Sequence, residues 1–334
     1  MSRDPLSDLL RSVRLRGAVF YYVSNRDPWA AEAPPAREIA AAVLPGAEHV
    51  MEFHLLARGS GWAAVSGLPP VRLECGDIVM FPHGDAHVLS SAPGLEPQRI
   101  GVEWVFATRH LPKPLPVAFH SGVREPGADT PVEAADSVLV CGFLGCDLRP
   151  FNPLIAALPR LLHLPAARAG EWIARVIDQA AHESAAPGPG AEAVLERLAE
   201  MMFVDTARRY LDSLPEDATG WLAGLRDRYV GHALALLHEA PEHPWSMDEL
   251  GRAVGLSRSA LHERFLQFLA QPPMHYLAQW RIQVGSRLLR ETNQTVAAIA
   301  QEVGYESEAA FSRAFKRLVG LPPATWRRSV AAGE

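Results

Sequence analysis

The 334-residue sequence has only three cysteines, Cys75, Cys141 and Cys146, an odd and small number that excludes a disulfide framework and predicts a reducing compartment. It has no apolar run near the roughly 18 to 20 residues needed to cross a bilayer. Its opening, MSRDPLSDLLRSVRLRG, scatters charge where a signal peptide would carry an apolar stretch. A cytoplasmic protein without a membrane partner is therefore expected. Positive charge is also in short supply: the formal net charge is −6, which counts against a surface that binds nucleic acid throughout. The deficit is uneven, because residues 1–225 carry 19 Lys/Arg against 27 Asp/Glu while residues 226–334 carry 13 against 11. Only the C-terminal part suits phosphates.

What is present is enough for more than one core. Hydrophobic residues make up 48% of the chain, and its length predicts about two or three domains. Residues 5–16 place Leu6, Leu9, Leu10 and Val13 at helical spacing. From Ala18 to Phe106 the texture becomes short apolar runs (AVFYYV, HVMEFHLLA, GWAAV, VRLECGDIVMFP, RIGVEWVFA) between Gly and Pro clusters, as in a small β-barrel or sandwich. Residues 107–135 read as a long surface excursion, and DSVLVCGFLGC (136–146) as a returning strand. Beyond Pro150 the pattern is helical. NPLIAALPRLL reads as a helix ending against Pro165, and two longer helices, 169–183 and 191–214, flank a Pro/Gly turn as an antiparallel hairpin. That hairpin packs on its own barrel or on a second copy, which makes a homodimer the expected assembly.

The C-terminal stretch contains the same device twice. Val254-Gly255 answers Val303-Gly304 at a spacing of 49, and Leu261, Phe265, Pro272-Pro273 and Tyr276 answer Phe311, Phe315, Pro322-Pro323 and Trp326 at 50. Repeated core and turn chemistry implies a repeated fold unit. Each copy reads as a helix-turn-helix: a short helix, a glycine for the positive φ of a sharp turn, and a serine cap, Ser257 or Ser307, opening the second helix. The inward stripes are Leu261, Phe265 and Phe268, and Phe311, Phe315 and Leu318. Arg258, Ser259, His262 and Glu263 are left facing outward in the first copy, and Glu308, Ala309, Ser312, Arg313 and Lys316 in the second. Such side chains can reach base edges in a major groove of double-stranded DNA. A single helix over 273–289 would hold the two units apart, and Arg281, Arg287, Arg290, Arg317, Arg327 and Arg328 are the expected phosphate contacts.

These motifs, with GYESEAAFSRAFKRLVGLPPATWRR closing the chain's last helices, resemble the DNA-binding domain of the AraC family of bacterial transcription regulators over about residues 226–330. The resemblance implies base-reading positions at Ser259, His262 and Glu263, and at Glu308, Ala309, Ser312 and Arg313, and RNA polymerase as a partner. Upstream, GDIVMFPHGDAH (76–87) resembles the second motif of the cupin barrels, with Ser91 where the motif has Asn. The first cupin motif is incomplete: Gly46 is followed by Glu52-Phe53-His54 in place of His-x-His, and Arg58 or Gly59 stands where Glu is usual. Residues 5–160 thus resemble the cupin-type sensor found ahead of many such DNA-binding domains.

Glu52 and His54 lie two apart, on one face of a strand, and His87 would complete two imidazoles and a carboxylate. That set suits a divalent metal such as non-haem Fe(II); the plainer reading is polar groups in a ligand pocket. Trp62, Phe53, Phe81, His83 and Trp104 are candidates for the pocket wall, or for core. Cys141 and Cys146 are read either as a thiol pair or as isolated buried thiols.

The expected architecture is α+β and multidomain: a cupin-like β-barrel at 1–150, a helical linker and dimerisation region at 151–220, and an all-α double helix-turn-helix domain at 221–334. The expected function is a sequence-specific transcription regulator whose barrel senses a small-molecule effector. No cofactor is required by this reading. The alternatives are a metal-dependent cupin enzyme, an oxygenase or isomerase, carrying a DNA-binding tail, and an architectural DNA binder. Turnover of a small substrate with Fe(II) would favour the enzyme, while the acidic N-terminal part disfavours the architectural reading.

Overall fold

Side chains alternate across a strand, so a segment apolar at every position must be covered on both faces. In the computed structural model, which describes residues 4–120, 123–126, 134–186 and 188–331, Ser137–Cys146 is such a segment, buried at all ten positions. In chain order the elements are α1 (Pro5–Ser12), β1 (Arg16–Arg26), β2 (Ala30–Ala33), α2 (Ala36–Val43), β3 (His49–Arg58), β4 (Ser60–Val65), β5 (Val71–Glu74), β6 (Ile78–Phe81), β7 (His87–Ser90) and β8 (Gln98–Arg99). Next come α3 (Val102–Thr108), β9 (Leu115–His120), β10 (Val123–Pro126), β11 (Ser137–Cys146), α4 (Pro153–Ala157) and β12 (Leu162–Leu164). The rest is helical: α5 (Ala166–Ala185), α6 (Ala191–Ser213), α7 (Trp221–Arg226), α8 (Arg228–Glu239), α9 (Met247–Val254), α10 (Arg258–Leu269), α11 (Pro273–Glu291), α12 (Val296–Glu302), α13 (Glu308–Val319) and α14 (Pro323–Ala331).

The chain divides into two units, one of residues 15–146 and 158–210, the other of residues 1–14, 147–157 and 211–334. Compactness thus cuts the chain at other places than the changes of texture near 150 and 220. The first unit holds a seven-stranded sheet, ordered β10-β9-β1-β11-β3-β6-β12, and a five-stranded sheet, ordered β5-β4-β7-β2-β8. Their shared core includes Trp29, Leu56, Val79, Phe81, Leu115, Phe119 and Phe143.

Three expectations change here. The stretch from residue 107 to 135 is not wholly a surface excursion, because Leu115, Val117 and Phe119 alternate apolar side chains and β9 pairs in parallel with β1; residues 121–122 and 127–133 lie outside the described residues. The run RIGVEWVFA yields only the end of β8, and from Val102 it coils into α3 behind Gly101. NPLIAALPRLL is a five-residue helix followed by a strand, β12, that pairs with β6. The sequence reading also passed over α2, whose Ile39, Ala42 and Val43 are buried.

The second unit is all helix. Its two repeated cores meet α11 at different heights. Tyr276 sits among the first copy's side chains, its hydroxyl accepting from Trp221 Nε1 at 2.9 Å and lying 2.8 Å from His238 Nε2. In the second copy Phe311 and Phe315 pack with Ile282 and Leu289. Gly285 allows the closest approach, since a Cβ there would meet Phe311 Cε2 at 2.8 Å.

The separate stretches of this unit are joined at Asp147. Its carboxylate accepts from Arg14 Nε and a terminal Arg14 nitrogen, each at 3.0 Å, and from Arg290 at 2.9 Å. Gln283, also on α11, donates to Ser12 O and accepts from Phe151 N, both at 3.0 Å. Helix α1 is therefore part of the α-helical unit. Because Arg290 has 7% side-chain exposure, removal of its carboxylate leaves a buried charge unmatched. Asp147→Ala is expected to destabilise this unit by about 3–5 kcal/mol; chemical denaturation measures it, and a loss below about 1 kcal/mol would show that the ion pairs are not what joins the three stretches.

Candidate nucleic-acid interface and barrel cavity

In each helix-turn-helix, local chemistry forces the turn and the cap. Ser246 accepts from Glu249 N to start α9, and Gly255 ends that helix in the left-handed conformation at φ 80°. Ser257 then caps α10 by accepting from Ala260 N at 3.2 Å. In the second copy Thr295 caps α12, Gly304 has φ 84°, and Ser307 caps α13 through Ala310 N at 3.2 Å. Leu261, Phe265, Phe311 and Phe315 are fully buried beneath these helices.

The opposite faces are open. Ser257, Arg258, Ser259 and Glu263 are exposed and His262 half-buried; Ser307, Glu308, Ala309, Arg313 and Lys316 are exposed and Ser312 half-buried. His262 and Ser312 are equivalent under the repeat. Arg258 lies 3.8 Å from Asp248, an exposed pair too weak to restrain it. Missed in the sequence reading are Arg252 and Gln301, equivalent exposed residues in the last turns of α9 and α12; their 49-residue spacing was the available signal.

The expected phosphate contacts fare unevenly. Arg281 donates to Pro241 O and His243 O, Arg290 is held by Asp147, and Arg327 donates to Leu289 O and Gln294 O. These three guanidinium groups are committed to the unit's own structure, and Arg287 is half-buried. Arg317 and Arg328 are exposed, as are Arg313 and Lys316.

The first unit contains a cavity of about 90 Å³ between its sheets. Tyr21, Val23 and Asn25 face it from β1, and Leu139, Cys141 and Phe143 from β11. These are alternate positions on each strand, a period-two signal that the sequence reading left unused. Trp29, Trp104 and Phe119 add aromatic wall.

Glu52, His54 and His87 also line the cavity, and one ligand atom of each lies within 4.8 Å of the others. Gly84, at φ 67°, makes the turn that delivers His87, and a Cβ there would meet Val50 O at 2.8 Å. His87 stacks on Phe81 with ring centroids 3.6 Å apart. Phe53 faces the other side of its strand. Trp62 and His83 are not in the cavity wall: on β4 the inward positions are Ala63 and Val65, and His83, at the turn's exposed centre, bonds Leu158 O at 2.9 Å. Cys141 and Cys146 both lie on β11, five residues and about 16 Å apart on opposite faces, so they form no thiol pair.

Burial governs the charge of this cluster. Desolvation pushes the Glu52 carboxyl up to about 8 and the His87 imidazole down to about 4, and holds His54 well below its usual range with help from His87. Burial, then proximity to Glu52, pushes the Cys141 thiol far up, which makes it unreactive. The 3.9 Å approach of His87 to Glu52 is consequently no ion pair at neutral pH. Two imidazoles and a carboxylate fit a divalent cation in donor type. The two Nε2 atoms stand 2.7 Å apart and bond each other, a bond that an ion would replace.

A carboxyl raised from 4.5 to about 8 contributes its full stability below pH 4.5 and loses it as pH rises through 8; the two histidines do the reverse, losing stability as pH falls from 6.5. Glu52→Gln should remove the alkaline loss alone. In chelator-treated protein, the wild type's melting temperature is expected to fall relative to the variant's between pH 5 and about pH 8; parallel profiles would show that Glu52 is not buried as a neutral acid.

Residues 4–212 match the Cupin family and residues 250–329 the helix-turn-helix domain family. An AraC-like transcription regulator of Streptomyces lividans is 32% identical over 330 residues, spanning 97% of this chain and 98% of its own length. The HTH-type transcriptional regulator AlkR of Acinetobacter baylyi is 26% identical over 329 residues, 97% of this chain and 99% of its own. The solved structure of a transcriptional regulator with an AraC-type DNA-binding domain, from Chromobacterium violaceum, is 27% identical, covers 31% of this chain and 92% of its own, and has a TM-score of 0.30. The cupin match over more than half the chain and the full-length likeness to a regulator show that this protein belongs to the AraC-like transcription regulators, with a cupin domain ahead of a helix-turn-helix DNA-binding domain.

Proposed function

We propose that the protein reads a specific operator through α10 and α13, and that a small molecule in the barrel cavity alters that reading. The observation that carries the DNA side is the pair of serine-capped helices, each buried on one stripe and open along the opposite one. Arg313 and Lys316 give the second copy its cationic front, supported by Arg317 and Arg328 at phosphates. The first copy presents Ser259, His262 and Glu263, of which Glu263 suits a cytosine amino group. A cavity walled mostly by apolar and aromatic side chains, with a few polar groups, supports a sensing role for the barrel. Coupling then requires that the effector bind one arrangement of the protein better than another. RNA polymerase is the partner this role implies, and the cytoplasm is the compartment it requires. No helix among the described residues is long and apolar enough to cross a membrane.

Selection of bound DNA from a random pool should recover a split site. Ser312→Ala with Arg313→Ala is expected to relax preference in one part of it, at about 1–3 kcal/mol for each lost base contact. Unchanged preference would remove α13 from base reading.

A homodimer through the α5–α6 hairpin is the proposed assembly, supported by Val194 and Met201, exposed seven residues apart on one face of α6. Sedimentation should give a dimer mass at micromolar concentration that falls towards monomer with both changed to Ser; a monomeric wild type would remove this assembly.

A further inference from the structure

The cavity's wall and its polar cluster together restrict what can occupy it. Trp29, Trp104, Phe119 and Phe143 supply aromatic surface, and no Lys or Arg is among the lining residues. A carboxylate or phosphate would therefore enter without a cation in the wall, and the wall offers an ammonium group no acidic side chain but Glu52, itself buried beside two imidazoles. Desolvating an unmatched charge is far costlier than desolvating a neutral polar group. A neutral occupant fits this wall best. The cavity, of about 90 Å³ and partly open, is of the order that takes an occupant of a single ring rather than a larger body.

Its head group follows from hydrogen-bond accounting. His87 Nδ1 lies 3.0 Å from Asp85 O, and a carbonyl oxygen only accepts, so His87 Nδ1 carries a hydrogen. In a neutral ring His87 Nε2 then accepts, and the 2.7 Å contact makes His54 Nε2 the donor. His54 Nδ1 is left as an acceptor. That atom and Glu52 Oε1 are both buried without a hydrogen-bond partner among the described residues. Two adjacent residues of one strand face thus present polar atoms that the protein itself does not satisfy, a cost of about 1–3 kcal/mol for each. A hydroxyl on the occupant would donate to His54 Nδ1 and present its oxygen to the Glu52 carboxyl.

We propose that the barrel binds a small neutral hydroxyl compound, a phenol or cyclic alcohol, with its ring among Trp29, Trp104 and Phe119 and its hydroxyl at His54 and Glu52. This rests on the barrel being the effector site. The occupant supplies the missing hydrogen bonds and fills apolar space, and both terms favour its binding.

Trp29 and Trp104 provide the readout in the full-length protein. Phenol and cyclohexanol should change tryptophan fluorescence saturably, with affinities more than about tenfold above those of toluene, methylcyclohexane and benzoate. His54→Phe should erase the preference of phenol over toluene while toluene still binds, and Glu52→Gln, which keeps a polar group of the same shape, should reduce it less. Far-ultraviolet circular dichroism establishes that each variant is folded. Equal binding of toluene and phenol by the wild type, tighter binding of benzoate, or a hydroxyl preference that survives in folded His54→Phe would overturn the assignment. So would a preference that vanishes with chelator and returns with added Fe(II) or Zn(II), because the head group would then be read by an ion held at Glu52, His54 and His87. DNA affinity, measured in the same samples, separates this inference from the sensing role: phenol binding that leaves operator affinity unchanged supports the ligand class and removes the coupling.

Discussion

A carboxylate with 5% exposure has few stable states, and Asp147 reaches one by taking Arg14 as a two-pronged partner and Arg290 as a third contact. The helical unit depends on this, because it is assembled from three stretches separated by residues 15–146 and 158–210 of the other unit. What Asp147 grips through Arg290, and Gln283 ties to Ser12 and Phe151, is α11, and α11 is the member that both helix-turn-helix copies share. Tyr276 and Trp280 belong to the first copy's core and Ile282 and Leu289 to the second's, so holding this one helix fixes where both reading helices point. Its 19 residues extend about 28 Å, comparable to one turn of DNA.

The barrel is built on a different compromise. Its sheets meet over apolar side chains, yet Glu52, His54 and His87 interrupt the wall, and each is driven to its neutral form. Opposed pH dependences follow from one cluster, since the acid keeps its proton while the imidazoles shed theirs. A sequence selected only for stability would replace such a trio with Leu or Val. On the proposed reading, the trio interrupts a mostly apolar wall because a ligand meets it there.

How much of this could be read from the sequence depended on the range of the forces involved. Gly255, Gly304, Ser257 and Ser307 act within four residues of themselves, and the repeat doubled the signal, so the turns, caps and buried stripes of the C-terminal helices were legible down to single residues. Glu52, His54 and His87 were legible as a group because a strand's parity and one turn motif align them. Trp62 and His83 were misplaced through parity as well: Ala63 and Val65 take the inward positions of β4, and the turn exposes its central residue. The strand β9 was hidden by its prolines, whose absent N–H groups usually bar a sheet interior. Nothing local could show that α1 packs with helices more than two hundred residues away, or that Arg281, Arg290 and Arg327 are used up at carbonyls and at Asp147. An arginine looks the same in a sequence whether it faces phosphate or a helix end.

That last point changes the electrostatics of the DNA-binding face. With three of six candidate arginines committed internally and Arg264 paired with Asp227, the exposed cations of α13 and α14 are Arg313, Lys316, Arg317 and Arg328, against Arg252 and Arg258 on α9 and α10. The first copy has Glu263 where the second has Arg313, so repulsion from phosphate must be overcome there by base contacts and by attachment to α11. On the proposed reading, the second copy therefore supplies most of the salt-dependent affinity. On the same reading the first binds well only where the sequence suits it, which would make it the stricter of two readers built on the same scaffold.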